Sequence, residues 1–352
     1  MEFGNTDTEH ALGCVLAHTV KLPTSVLRKG TVIDPGVIDQ LRQAGVQSVM
    51  AARLFDNDVA EDDAARLVAA GLAGLDVVLA DAYTGRVNLY AGQAGLLVVE
   101  EQDVRTINRV DEGVTLATLR PLSRVGRGQM VATVKIIPFA VARSSLDEIG
   151  RLIAARGPML TVAAFRAKRV ELIMCRFGHE REKVMAKRQH AVTTRIMSLG
   201  GTVGPVTDCP HSVADVAAAI RDSVSRAPDL ILVFGASAIV DRGDVIPAAL
   251  RQAGGEILQL GMPVDPGNLL LCGEIAGCPL VGVPSCASSI KQNGFDWVLE
   301  RIFCDQPVDR EAFVAMACGG LLTEIASRPQ PRESRRRLVG TDKHEQDDVS
   351  AN

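Results

Sequence analysis

The chain has 352 residues, a formal net charge of −4, 47% apolar residues and only 3% aromatic ones. That length accommodates two or three domains with cores of their own, and the abundance of Ala, Val and Leu suits an α/β protein. The weakly acidic balance excludes a general electrostatic case for nucleic acid or an anionic membrane. With no signal-peptide pattern after Met1 and no apolar run of spanning length, a cytoplasmic protein is expected.

Residues 1–56 read as a small N-terminal β/α unit. Residues 13–20 alternate weakly, 26–32 give a second short strand, and Asp34-Pro35-Gly36 opens a helix that Gly45 ends. His18, at a strand end, is expected to be structural rather than a ligand. Residues 57–142 follow as an α+β domain. The spacing predicts a helix over 56–71, with Asp58, Glu61, Asp62 and Asp63 in its first turns to match the dipole. Strands over 77–81, 95–100 and 130–139 and a helix over 102–109 complete it. Thr84, Gly85, Arg86, Asn88, Asn108, Arg109, Asp111 and Lys135 are its notable polar residues. They either gather at strand ends around an anion or serve turns and local ion pairs. The domain is expected as a dimer surface or the far wall of a pocket.

Residues 143–168 read as a connector, helical until Gly157-Pro158 breaks it. The main domain, 169–305, opens with a strand over 169–175 that runs into Arg176-Phe177-Gly178-His179-Glu180. A long helix over 180–199 follows, stopped by Gly200-Gly201. Its Lys183, Lys187 and Arg188 make a basic face, suited to phosphate or simply solvated. After a strand over 203–207, Ser212 caps a helix over 213–226. Residues 229–234 are a continuous apolar run, as in a strand covered on both faces of a parallel sheet. Gly235-Ala236-Ser237 stands at its carboxyl end, ahead of Asp241-Arg242-Gly243-Asp244 and a further helix. A strand over 256–260 runs into Gly261-Met262-Pro263-Val264-Asp265-Pro266-Gly267-Asn268, and a hairpin over 269–283 is expected at an antiparallel edge. Pro284-Ser285-Cys286-Ala287 comes next. Ser288, Ser289 and Lys291 stand at an expected helix start, where N–H groups and an ammonium suit an anion.

The alternation of strands and helices implies an α/β fold, a mostly parallel sheet flanked by helices, preceded by smaller α+β N-terminal domains. Three small-residue turns at strand ends suggest a ligand crevice, since such turns let backbone N–H groups approach an anion. The eight cysteines include no Cys-x-x-Cys pair, so neither a zinc site nor a disulfide framework is expected. Cys175 and Cys272, in expected strands, read as reduced, buried thiols. Residues 306–327 read as a docking segment. The Pro-, Arg- and acid-rich 328–352, with Arg335-Arg336-Arg337, read as a disordered tail.

The order of strands, turns and helices over 169–303 resembles the molybdopterin-binding domain of molybdopterin adenylyltransferases and molybdenumtransferases. A closer match lies in Phe234-Gly235-Ala236-Ser237-Ala238-Ile239, Gly261 to Asn268 as quoted above, and Asn293-Gly294-Phe295-Asp296-Trp297-Val298. On these, residues 1–331 resemble the molybdopterin-binding half of bacterial proteins that carry a nucleotidyltransferase domain behind it. The resemblance implies binding of molybdopterin or molybdenum cofactor in its biosynthesis, modification or delivery, with a separate nucleotidyltransferase as partner and a homo-oligomeric assembly. It implies a phosphate or pterin cradle at Gly235, Ala236 and Ser237. Further contacts are implied from Asp265, Pro266, Gly267 and Asn268, from Pro284, Ser285, Cys286 and Ser288, and from Lys187 and Arg188. Asp244 resembles a family aspartate that assists a Mg²⁺–phosphate assembly, with Asp241 as a rival. Asp244 is equally placed to cap its helix.

The chain departs from the family at four places. The Gly-Asp-Glu-Leu turn after the first strand is missing, and Lys187 and Arg188 replace a Ser-Asn pair. Asn268 replaces a lysine, and Pro284-Ser285-Cys286-Ala287 replaces Pro-Gly-Asn-Pro. Cys286 could offer a soft thiolate to molybdenum or be an inert core thiol. The alternatives are a true molybdenumtransferase or adenylyltransferase using Mg²⁺ for phosphoryl chemistry, and a non-catalytic scaffold.

Overall fold

The structure, a computed structural model, describes residues 1–179 and 181–322. The expected tail, the end of the docking segment and the residue expected to open the long helix (Glu180) lie outside the described residues.

The first unit is a three-stranded antiparallel sheet of Glu2–Asp7, Ser48–Arg53 and Val15–Leu16. The helix Pro35–Gln43 packs on it, burying Val37, Ile38 and Leu41, and Asp34 Oδ1 caps it by accepting from Val37 N at 2.8 Å. In the middle unit the helix Glu61–Leu72 buries Ala64, Ala65, Val68, Ala69 and Leu72 along one face. The alanines bring it close to a four-stranded sheet that contains Arg86–Ala91 and Met130–Ile136. This helix starts later than its acidic residues suggest. Asp58–Ala60 forms a strand paired with Ala140–Ala142, and that pairing outweighs the dipole match. The helix Arg143–Arg156, expected as a connector, belongs to this core. Its Leu146 and Ile149, with Met159, Leu160 and Val162 beyond it, share one apolar cluster with Val68 and Leu72.

From residue 169 onward, strands and helices are numbered as they come. They are β1 (Arg169–Arg176), α1 (Glu182–Ser198), β2 (Thr202–Pro210), α2 (Val213–Ser225) and β3 (Leu230–Phe234). There follow α3 (Val245–Ala253), β4 (Glu256–Leu260), β5 (Leu271–Ile275), β6 (Cys278–Val283), α4 (Gly294–Phe303) and α5 (Arg310–Ala315). The sheet order is β2-β1-β3-β6-β5-β4. The β1–β2, β1–β3 and β3–β6 ladders are parallel; β6–β5 and β5–β4 are antiparallel. The expected hairpin is therefore inside the sheet, and β4 and β2 are its edges.

The apolar runs divide between the two faces with the strand period of two. Val170, Leu172 and Met174 of β1 and Leu230, Leu232 and Phe234 of β3 meet α1 and α4. Ile173, Cys175, Ile231 and Val233 meet α2 and α3. Each face is thus sealed by helices, which is why these strands read as unbroken apolar runs. Glu171 is the exception, a buried carboxylate that accepts from Arg226 Nε at 3.1 Å and Nη2 at 2.9 Å. The middle unit docks through Arg166 N, which donates to Phe303 O at 2.8 Å, and through Cys304 Sγ, which lies 3.0 Å from Ala163 O.

One buried side chain ties the sheet's carboxyl edge to its helices. All five N–H bonds of the Arg195 guanidinium on α1 are used. Nε donates to Asp296 Oδ1 at 2.7 Å, Nη1 to Ala191 O and Ala287 O at 3.0 Å, and Nη2 to Ser289 O and Lys291 O. Asp296 in turn accepts from Asn293 N at 2.8 Å, closing the capping box of α4. Replacing Arg195 by Met takes the cation from a half-buried carboxylate and the donor from the Ala287 and Ser289 carbonyls, while Lys291 O keeps Asn293 Nδ2 at 3.1 Å. We expect a loss of about 3–5 kcal/mol in urea unfolding, against no more than ~0.5 kcal/mol for Lys187→Met on the exposed face of the same helix.

Candidate functional site at the carboxyl edge of the sheet

Parallel strands that end side by side leave their following turns facing one crevice, where open α/β sheets take ligands. Here β1, β2, β3 and β6 end together, at Arg176, Pro210, Phe234 and Val283. Because β4 runs parallel to β6 across β5, the 261–268 turn leaves the sheet at the same edge.

After β3, the backbone N–H groups of Ala236, Ser237 and Ala238 have no hydrogen-bond partner among the described residues. Ser237 Oγ lies 3.1 Å from His211 Nε2, which comes from the end of β2. The Phe177 ring meets His211 edge-on at 5.1 Å and stacks on His179 at 5.9 Å. From above, the half-buried Arg188 of α1 places its guanidinium 5.3 Å from the centre of the Phe234 ring. Three consecutive amide donors, a hydroxyl, an imidazole and a guanidinium thus converge where β3 ends. That set is suited to an anion such as a phosphate. Arg176 beside it is not free to join. Asp208 and Glu182 hold it at 2.8 and 2.6 Å, and both carboxylates raise its pKa.

Of the residues expected at the site, Ser237, Ala236 and Arg188 lie in this group, and Lys187 is exposed on the helix. Gly235 is required by packing rather than by a ligand. A Cβ there would stand 2.7 Å from Ser237 O and 2.9 Å from Ile246 Cδ1. Asp244 occupies the N-cap position of α3 but does not cap it. Its Oδ2 instead accepts from Val240 N at 2.7 Å and Asp241 N at 3.1 Å. Asp241 Oδ1 is taken up by Gly243 N at 2.6 Å. Among the described residues, no group of three or more His, Cys, Asp and Glu side chains is placed to hold a metal ion.

The Asp265–Asn268 turn is built largely into the protein. Asp265 N donates to Gly320 O, Asp265 O accepts from Leu322 N, and Pro266 O accepts from Gly294 N at 2.8 Å. Gly267, at φ +140°, lies so close to Gly294 that a Cβ would stand 2.6 Å from its nitrogen. Asn268 remains exposed. After β6, Pro284 is buried, and Ser285–Ser288 forms a short 3-10 helix in which Ser288 Oγ donates to Ser285 O. Cys286 there is half-buried and free of any disulfide. The expected helix start at Ser288, Ser289 and Lys291 is corrected: α4 begins at Gly294. Its first N–H groups are closed by Asn293 and Pro266, while the Ser289 and Lys291 carbonyls face Arg195.

In the middle unit, Asn108 bonds Leu116 N, Leu116 O and Val104 O, and Asp111 bonds Gly113 N and Ser145 Oγ, so both hold local structure. Lys135 reaches Thr84 O and lies 3.8 Å from Glu61. His18 is exposed. Cys175 and Cys272 are buried free thiols, and burial pushes Cys272 up to about 12. No helix among the described residues is long and apolar enough to cross a membrane.

The family model for a domain of unknown function (DUF8806) matches residues 5–53. No curated protein matches the chain. Among solved structures, the chain is similar to the molybdopterin biosynthesis MoeA protein from Pyrococcus horikosii, at 13% identity and a TM-score of 0.31. That alignment covers 86% of this chain and 75% of that one. Molybdenum cofactor biosynthesis protein B aligns at 15% identity and a TM-score of 0.31, over 40% of this chain and 97% of that one. A molybdenum cofactor biosynthesis protein from Pyrococcus furiosus aligns at 10% identity and a TM-score of 0.23, over 88% of this chain and 66% of that one.

Beside the crevice, where the middle unit meets α4, lies a second group of charges. Glu300 on α4 is buried, with Arg124 Nη1 3.3 Å from its Oε1. Burial pushes its carboxyl up to about 7 against the opposing pull of Arg124. The fold therefore favours the protonated form. That stabilisation is present below the ordinary carboxylate range and is lost as the pH rises through about 7. Thermal melting from about pH 5 to about pH 8 should show wild type losing stability relative to Glu300→Gln, which stays neutral. Melting curves that move in parallel would contradict this.

Proposed function

We propose that the carboxyl edge of the sheet binds the phosphate-bearing pterin of molybdopterin or molybdenum cofactor, and that the chain works in the biosynthesis, modification or delivery of that cofactor. The observation that carries the proposal is the run of unpartnered N–H groups at Ala236, Ser237 and Ala238, flanked by Arg188 and the His211–Ser237 pair. Backbone donors with adjacent cations are what a terminal phosphate requires. The sequence resemblance over Phe234–Ile239, Gly261–Asn268 and Asn293–Val298 supplies the pterin.

In this reading Ala236, Ser237 and Ala238 hold the phosphate, Arg188 neutralises it, and His211 orients the Ser237 hydroxyl. Ser285, Cys286 and Asn268 line the rest of the edge as candidate contacts for the ring. Binding and delivery are favoured over transfer. Asn268 stands where the transferases have a lysine, and Asp241 is engaged in its own turn. The transferase reading keeps one specific support. Asp244 Oδ1 accepts no hydrogen bond among the described residues, so one carboxylate oxygen is left for Mg²⁺. A separately encoded nucleotidyltransferase and a second copy of this chain are the partners the reading calls for.

The test is pterin content. Protein purified from a host that makes molybdenum cofactor, then oxidised after denaturation, should release near-stoichiometric pterin fluorescence. Ser237→Glu, which places a negative charge beside the three amides, and Arg188→Glu should each lower it about tenfold or more. Gly235 is left alone, because any side chain there disturbs packing whatever binds. Absence of pterin in the wild type, even after incubation with free molybdopterin, would overturn the proposal.

A further inference from the structure

A cavity of about 400 Å³ lies between the 120–124 turn of the middle unit and α4. Its charged lining consists of three guanidinium groups, Arg120, Arg124 and Arg301, and one carboxylate, Glu300. Arg124 lies 3.3 Å from Glu300, which offsets its charge when ionised. The remaining two cations are poorly compensated. Arg301 is half-buried, and its guanidinium makes one long hydrogen bond, Nη1 to Pro307 O at 3.4 Å. Burial disfavours its charge, and Asp309 offsets this only in part. Arg120 makes no side-chain hydrogen bond or ion pair among the described residues.

The backbone at Arg120 is held in place, because its turn is fixed to the neighbouring strand, and its exposed side chain extends from that turn. Leu122 N donates to Leu97 O at 2.7 Å, and Ser123 N donates to Arg120 O at 3.1 Å. The chamber is therefore small-molecule sized, walled on one side by a fixed turn, and carries an excess of positive charge. Its uncharged wall includes Leu96 and the ring of Trp297.

We propose that this cavity binds a small phosphate monoester, with Arg120 and Arg301 holding the phosphate dianion and Trp297 lying against the organic part. Two guanidinium forks, Arg120 with no side-chain partner among the described residues and Arg301 with one long hydrogen bond, match the charge and oxygen geometry of a phosphate, which a single point cation would not. Arg124 acts as a positioning residue: engaged by Glu300, it carries the turn toward α4. The site is separate from the donor row at the sheet edge: Gln292, at the end of the segment after β6, is the one lining residue drawn from a strand-end turn, and none comes from the Gly235–Ala238 turn. The failure of the pterin reading would leave it untouched.

Trp297 is the chain's one tryptophan, so its fluorescence reports on this cavity alone. The full chain should be titrated with inorganic phosphate, glycerol 3-phosphate, adenosine 5′-monophosphate and adenosine, by fluorescence and by calorimetry. We expect saturable binding of the two phosphate esters and none of adenosine. Arg120→Gln, at an exposed position that the fold tolerates, should weaken it about tenfold, the loss expected for one hydrogen bond to a charged group. Arg301→Gln should do the same, and Arg127→Gln, outside the cavity, should leave it unchanged. Inorganic phosphate binding as tightly as the esters would assign the ligand to free phosphate. Absence of both heat and fluorescence change with every phosphate probe, or equal affinity in Arg120→Gln, would overturn the proposal.

Discussion

A single buried guanidinium sets the geometry of the sheet's carboxyl edge. Arg195 reaches from α1 to Asp296 at the start of α4 and to the carbonyls of Ala287, Ser289 and Lys291. Those carbonyls belong to a turn with little regular structure of its own, and buried backbone oxygens need a donor. With all five N–H bonds used, Arg195 carries its charge into the interior without an orphaned donor, and Asp296 supplies the compensating charge. The turn after β6, the entry of α4 and the path of α1 are fixed together. Because Arg188 lies two turns earlier on α1, its approach to Phe234 depends on the same anchor.

That anchor also separates two kinds of strand-end turn. The Asp265–Asn268 and 285–292 segments direct their backbone groups into the protein, toward α4, Gly320, Leu322 and Arg195. The Gly235–Ala238 turn keeps three amides with no acceptor among the described residues. Glycine content does not distinguish them. Gly235 and Gly267 are both demanded by contacts under 3 Å that a side chain would make with backbone atoms. An open donor row is the better mark of a ligand site than small residues are, since small residues also serve close backbone packing.

Much of the sheet was legible in the sequence because burial on both faces leaves an unmistakable pattern. The apolar run of β3 stands where that pattern predicts, and the strand at 256–260 stands at its expected bounds. The edge strand did not show itself as clearly. β2 runs through Gly204 and Pro205 to Pro210, residues that an edge tolerates because their N–H side lacks a partner, so its end looked three residues too early. His211 lies just past that end, and its position between the strand and the Ser212 cap is the signal that puts it at the carboxyl edge. The cation–ring contact of Arg188 with Phe234 joins residues far apart in the chain, and no local periodicity announces it. The same holds for Arg195, which reads as one more basic residue on a helix rich in them.

The middle unit is the other part that local pattern could not assign. Its closing helix, Arg143–Arg156, has a modest apolar face and ends at Gly157-Pro158, which suits a connector as well as a core helix. What decides is the partner surface, a cluster that reaches from Val59 to Val162 and needs that helix to close it. Docked in this way, the unit brings Arg124 against Glu300 and Phe165. A carboxylate on α4 that burial would otherwise keep protonated thereby gains a cation from outside its own domain. Charge at this junction and the fit between the units are consequently coupled. Any process that moves the middle unit away exposes Glu300 to water and lowers its proton affinity, while any group that holds Arg120 and Arg301 together from within the cavity opposes that movement.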